Sequence, residues 1–195
     1  VSVCIPDVGV NPPIGNQKYW PIYKAAAECD LPIAFHGIEA LIHDNYPLRV
    51  AHFPTLMQVH SMGFTFTAML QVMSVVCEGI PVRFPTLDFC VLEAGITWIP
   101  FIMYRLDTAY RQYRTELPML EKKPSEYIRD WYFGTHELEA MPRRGDLAKI
   151  IQLYQGEDRT MWASDWPHLE RDLVAGLRNY DLEDDLQRKI LGENA

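Results

Sequence analysis

Four short apolar runs in this chain each end on a residue that could ligate a metal or carry a proton. Leu31-Pro32-Ile33-Ala34-Phe35-His36-Gly37 ends on His36, and Leu87 to Gly95 carries Glu93 near its end. Trp131 to His136 ends on His136. Thr160-Met161-Trp162-Ala163 breaks into Ser164-Asp165, followed by Trp166, Pro167 and His168. Runs of this kind suit buried strands, and Pro167 stops the last one from continuing inside a sheet. A carboxylate at the end of a buried strand is costly unless a cation or a ring of donors meets it. Imidazole mixed with carboxylate is a donor set that divalent metals take, zinc being the ion expected here and manganese the alternative. Water on such an ion becomes nucleophilic near neutral pH, and a neighbouring carboxylate such as Asp165 or Glu93 could accept its proton. Each residue also has a blander reading: Asp165 as a cap or turn residue, His36 as a satisfied core histidine, His136 and His60 as structural. Chance placement of core histidines does not explain so regular a position at run ends.

The segments between these runs indicate how the four ends are brought together. Val1 to Ile5 is a β-prone run stopped by Pro6, and a loop with Asn11-Pro12-Pro13 follows. Helical spacing appears over Tyr19–Cys29, Phe64–Glu78, Trp98–Arg114, Asp146–Tyr154 and Leu182–Leu191, with a short turn from Pro124. Gly79 is placed to stop the second of these helices, and Thr97 is a candidate N-cap for the third, whose Arg105, Asp107, Arg111 and Arg114 are assigned to its solvated face. Residues 38–60, with His43, His52 and His60, read as a long irregular connection with surface histidines. Strand and helix therefore alternate about five times. No run alternates in polarity, so the strands are expected to be buried on both faces, as in a parallel α/β sheet. Functional groups in such folds collect beyond the carboxyl ends of the strands, where the four polar endings would meet.

Composition narrows the class. At 195 residues the chain suffices for one sizeable core, and 48% hydrophobic content fits a globular protein. A net charge of −8 argues against nucleic-acid binding and gives no support for an anionic membrane. No apolar run is expected to span a bilayer. Cys4, Cys29, Cys77 and Cys90 lack any CxxC spacing and are assigned as reduced core thiols, which places the protein in the cytoplasm.

Three stretches resemble the amidohydrolase-related family, which includes aminocarboxymuconate-semialdehyde decarboxylase-like enzymes. They are Leu31–Gly37, then Arg83-Phe84-Pro85-Thr86-Leu87 with Glu93-Ala94-Gly95 and Trp98, and finally Ala163-Ser164-Asp165-Trp166-Pro167-His168; Leu191–Ala195 resembles the closing helix. The resemblance runs through essentially the whole chain. It implies a TIM (β/α)8 barrel with a divalent metal at its carboxyl rim, His36 as the fifth-strand ligand, and Asp165 as the eighth-strand ligand and proton shuttle. By that count Val1 to Ile5 is the fourth strand. Residues 1–195 are then the C-terminal portion of a single barrel domain, a partial barrel of strands 4 to 8. The first-strand His-x-His or Glu-x-His pair usual in the family is not in this chain. Glu93 stands where many members carry histidine.

The expected function is therefore a metal-dependent hydrolase acting on a small organic molecule through metal-bound water. Glu93 and Asp165 are its catalytic candidates, His36 and Asp165 its metal ligands, and His168, Trp98 and Trp166 its substrate contacts. Glu93 favours hydrolysis because an ionised carboxylate would repel an acidic substrate. Decarboxylation of an unsaturated or aromatic carboxylate is the alternative, followed by a non-catalytic fragment or scaffold. A homo-oligomer is expected, with neither nucleic acid nor membrane as partner.

Overall fold

The computed structural model describes residues 1–37, 53–168 and 171–195. The expectations for His43 and His52 lie outside the described residues. Five strands form one parallel sheet: β1 (Val3–Pro6), β2 (Ile33–His36), β3 (Phe89–Leu92), β4 (Tyr132–Gly134) and β5 (Thr160–Met161). Their order in the sheet is their order in the chain. Every connection thus returns the chain to the same edge, and all five carboxyl ends fall on one rim.

The links are α1 (Trp20–Glu28), α2 (Leu56–Cys77), α3 (Ile80–Arg83), α4 (Ile99–Tyr113), α5 (Pro124–Ile128) and α6 (Asp146–Leu153). Two short helices, α7 (Val174–Leu177) and α8 (Asp184–Arg188), follow β5. The helix after the second strand starts earlier than the apolar spacing predicts. Thr55 caps it by accepting the Gln58 N–H, so His60 belongs to its first turns and not to an irregular loop. Thr97 does not cap α4, since its hydroxyl donates to Glu139. Asp107 is also not spent on solvent; it accepts the backbone N–H and hydroxyl of Ser125 at the start of α5.

Alternation along each strand separates two faces. One carries Ile5, Ile33, Phe35, Phe89, Val91 and Phe133, all buried beneath the helices. Phe35 stacks on Phe89 at 5.9 Å, and Phe89 meets Trp131 at 4.7 Å. Each such burial contributes about 1.5–3 kcal/mol. The other face differs from the expectation of double burial: Cys4 is exposed, and Cys90, Leu92, Tyr132 and Met161 are half-buried. The cysteines are unpaired, but Cys4 and Cys29 are exposed, so only Cys77 and Cys90 approach the expected core setting.

Helix α2 also corrects the expectation that no apolar run could span a bilayer. Its 22 residues are long and apolar enough to cross a membrane by length and composition, although half of the relevant window is buried inside the protein. A buried polar stripe explains its position. Thr67, Gln71 and Ser74 share one face and grip the loop after β1. The Gln71 side chain accepts the Ile14 N–H at 2.9 Å and donates to the Asp7 carbonyl at 2.7 Å, and Ser74 Oγ accepts the Gly15 N–H. Gln71→Leu leaves two buried backbone groups unpaired, each costing about 1–3 kcal/mol. Urea unfolding is therefore expected to show a loss of roughly 2–4 kcal/mol. An unchanged midpoint would mean that water replaces the amide.

Candidate metal centre

The strand ends deliver their polar residues to one place. His36 closes β2, Glu93 follows β3, His136 lies two residues past β4, and Asp165 lies four past β5. Both carboxylates sit on left-handed backbone, with φ of 57° at Glu93 and 54° at Asp165. That conformation costs a non-glycine residue about 1–3 kcal/mol and concentrates at functional sites. The surroundings hold it in place. The Ala163 N–H donates to Thr135 Oγ1, the Gly95 N–H to the His136 carbonyl, and the Asp172 N–H to the Ser164 carbonyl.

One ligand atom each from Glu93, His136 and Asp165 lies within 4.8 Å of the others. Ligands around 2.0–2.2 Å from one ion come somewhat closer than that, so small side-chain rotations would close the set. His136 is its buried member. Its Nδ1 sits 3.1 Å from Asp172 Oδ2, which also accepts the Leu138 N–H, and its Nε2 lies 3.5 Å from Asp165 Oδ2. A carboxylate on one ring nitrogen that directs the other inward is the usual support of a metal-binding histidine. The donor chemistry therefore fits a divalent ion. His36, expected as the fifth-strand ligand, stands beside this set. Its Nε2 meets Glu93 Oε2 at 2.8 Å and its Nδ1 donates to the Gly37 carbonyl. The Glu93 carboxylate, first among several causes, raises the His36 pKa.

A cavity of about 460 Å³ opens over these residues. Four imidazoles line it, His36, His60, His136 and His168, with the carboxylates of Glu93, Glu137 and Asp165. Among the described residues no lysine or arginine does so. Burial raises the pKa of Glu137. Leu56 and Phe64 of α2 supply the apolar wall. Gly37 permits the approach of that wall, since a Cβ there would lie 2.1 Å from Phe64 Cδ1. Gly37→Ala is expected to displace the Phe64 ring at a cost of about 1–3 kcal/mol, read as a lowered melting temperature. A melting temperature equal to wild type would show that the wall yields freely.

His168 lies on the cavity, its Nδ1 2.8 Å from Asp165 Oδ2. The two tryptophans expected as substrate contacts do not line it. Trp98 is only 5% exposed and packs in the core against Phe133, its indole N–H donating to the Gly95 carbonyl. Trp166 is 71% exposed and stacks with Arg171. Four residues of the site escaped the sequence reading in their roles. His136 was visible at its strand end, whereas His60, Glu137 and Asp172 gain their places only through tertiary contacts.

A parallel sheet with acidic and imidazole residues gathered on its carboxyl rim defines an α/β protein with a candidate metal centre at that rim. The chain belongs to the amidohydrolase family, whose model, described as Amidohydrolase, matches residues 5–195. Among solved structures it is similar to 5-carboxyvanillate decarboxylase from Sphingomonas paucimobilis. That match has 21% identity and a TM-score of 0.78, over 99% of this chain and 56% of the other. An amidohydrolase from Mycobacterium avium subsp. paratuberculosis K-10 matches with 20% identity and a TM-score of 0.76, over 98% of this chain and 50% of the other. A dihydroxybenzoic acid decarboxylase from Polaromonas sp. JS666, with bound manganese and 2-nitroresorcinol, matches with 18% identity and a TM-score of 0.67, over 95% and 55%. The chain thus spans between 50% and 56% of the length of these structures. No curated protein matches it.

Proposed function

We propose that the chain forms strands 4 to 8 of a (β/α)8 barrel and carries the divalent-metal centre of a small-molecule hydrolase. The convergence of Glu93, His136 and Asp165 on one rim carries this reading. Two carboxylates and one imidazole make an oxygen-rich set, which supports manganese over the zinc expected from sequence. Manganese in the Polaromonas structure supports the same choice. The half-exposed sheet face and the length of the matched structures support the partial barrel.

A bound ion would acidify a water and polarise the scissile bond. The protein's own residues handle the proton. Asp165 accepts it and returns it to the leaving group, while the His168 Nδ1–H, 2.8 Å from Asp165 Oδ2 on a ring 65% exposed to solvent, steadies the carboxylate. Three carboxylates line the cavity with no described lysine or arginine, which favours a neutral substrate. Decarboxylation is the second reading, favoured by the decarboxylases among the similar structures. There the ion and the imidazoles would have to hold the substrate carboxylate.

The test is divalent metal per chain, in the wild type and in a His36→Ala, Asp165→Ala double variant. It is followed by turnover of neutral esters and amides beside carbon dioxide release from hydroxybenzoates. Near-stoichiometric metal that disappears in the variant, with ester or amide turnover, is the expected result. Carbon dioxide release alone would select the second reading. A metal-free wild type would assign the chain a non-catalytic role.

A further inference from the structure

Helix α2 places a histidine where none of the strand-end chemistry requires one. Leu56, His60 and Phe64 recur at four-residue intervals, which puts them on one face of the helix, and all three line the cavity. The His60 ring is held on two sides. Its Nδ1 lies 3.3 Å from Glu137 Oε1, and its plane meets the Phe64 ring edge-on at 5.2 Å between centroids. Glu137 directly follows His136, so one segment positions both the buried imidazole of the metal cluster and the imidazole on the opposite element. With its Nδ1–H donated to Glu137, a neutral His60 ring presents Nε2 as a hydrogen-bond acceptor. Leu56 and Phe64 beside it offer apolar contact and no competing polar group.

We infer that His60 is a substrate-contacting residue of this site, accepting a hydrogen bond at Nε2 from a hydroxyl or N–H on a substrate whose apolar body rests on Leu56 and Phe64. Glu137 is its positioning residue. The inference rests on the reading of the rim as the active site, and its test separates the two. Phenol and anisole serve as probes, having the same ring with and without the O–H. Binding is followed by NMR of ¹⁵N-histidine-labelled protein, with zinc added and without it.

Phenol is expected to move the His60 Nε2 resonance and to bind about tenfold more tightly than anisole, as a satisfied polar contact implies. In His60→Leu that ratio falls to about one, while zinc per chain stays at the wild-type value, which also shows that the variant folds. Glu137→Gln keeps an acceptor for the Nδ1–H and retains the preference; Glu137→Leu loses it. A phenol-to-anisole ratio unchanged in His60→Leu, or a His60 resonance that neither probe moves, overturns the inference. Absence of zinc from the wild type counts against the metal centre instead and leaves the His60 signal readable in zinc-free protein.

Discussion

Replacing His136 with alanine abolishes near-stoichiometric binding of a divalent ion. The imidazole is 3% exposed, and among the described residues it supplies the only nitrogen in the cluster with Glu93 and Asp165. Without it, Glu93 and Asp165 face each other across a void with Asp172 behind them. Asp172→Asn is the graded companion. It keeps the shape but weakens the hold on Nδ1, and losses of about 10–100-fold in metal affinity follow from removing such a support. Stability reports the same event. An ion present at a hundred times its Kd stabilises the wild type by about 2.7 kcal/mol, so added manganese raises its melting temperature by roughly 5–10 °C. The His136→Ala melting temperature does not respond. Full metal occupancy in His136→Ala, measured by elemental analysis after desalting, would remove His136 from the ligand set and return the place to His36.

Asp7→Asn flattens the dependence of stability on pH. Asp7 follows β1 and is 1% exposed. Thr67 donates to its Oδ2 at 3.0 Å, while its Oδ1 is buried with no partner among the described residues. Burial pushes its pKa from 3.8 to about 7. Between those values the native state holds a proton that the unfolded chain has released. The protein therefore loses stability as pH rises, by about 1.4 kcal/mol per unit and roughly 4 kcal/mol in all. Below that window both states are protonated, and above it both are ionised, so the cost is complete. His36, with its pKa raised chiefly by Glu93, adds a contribution of the same sign that is fully present below its ordinary 6.5 and is lost as pH rises through its folded value. Asp7→Asn removes the lower window and leaves the upper one. Urea unfolding at intervals from pH 4 to pH 8 separates them, and a variant whose slope below pH 6 equals that of wild type would refute a protonated Asp7.

The legible part of this protein was what local chemistry fixes. Strands show as apolar runs bounded by Pro6, Gly37 or Gly95, and the all-parallel arrangement follows from the helices between them. His36, Glu93 and Asp165 could be picked out because a parallel sheet brings successive strand ends to one rim. His136 was found in position but not in importance, since its burial against Asp172 depends on a loop that closes 36 residues later. Trp98 and Trp166 show the limit of reading neighbours of a motif. An aromatic beside a strand end can turn into the core or out to solvent, and backbone direction decides which. Residues 38–60 read as an irregular connection, yet Thr55 caps the helix that carries His60. The left-handed backbone at Glu93 leaves no trace in sequence, whereas Asp165 is of a residue type that enters that region more readily.

The sheet's matching of spatial and sequential order bears on how the chain assembles. Every strand pairs with the strand that comes next, so each pairing closes a loop of one connecting segment. The entropy of closure grows only slowly with loop length. Pairing can then start at any neighbouring couple and spread outward one strand at a time. Removing the last unit would leave the earlier pairings intact, whereas removing a central one would require two strands that never met to find a new register.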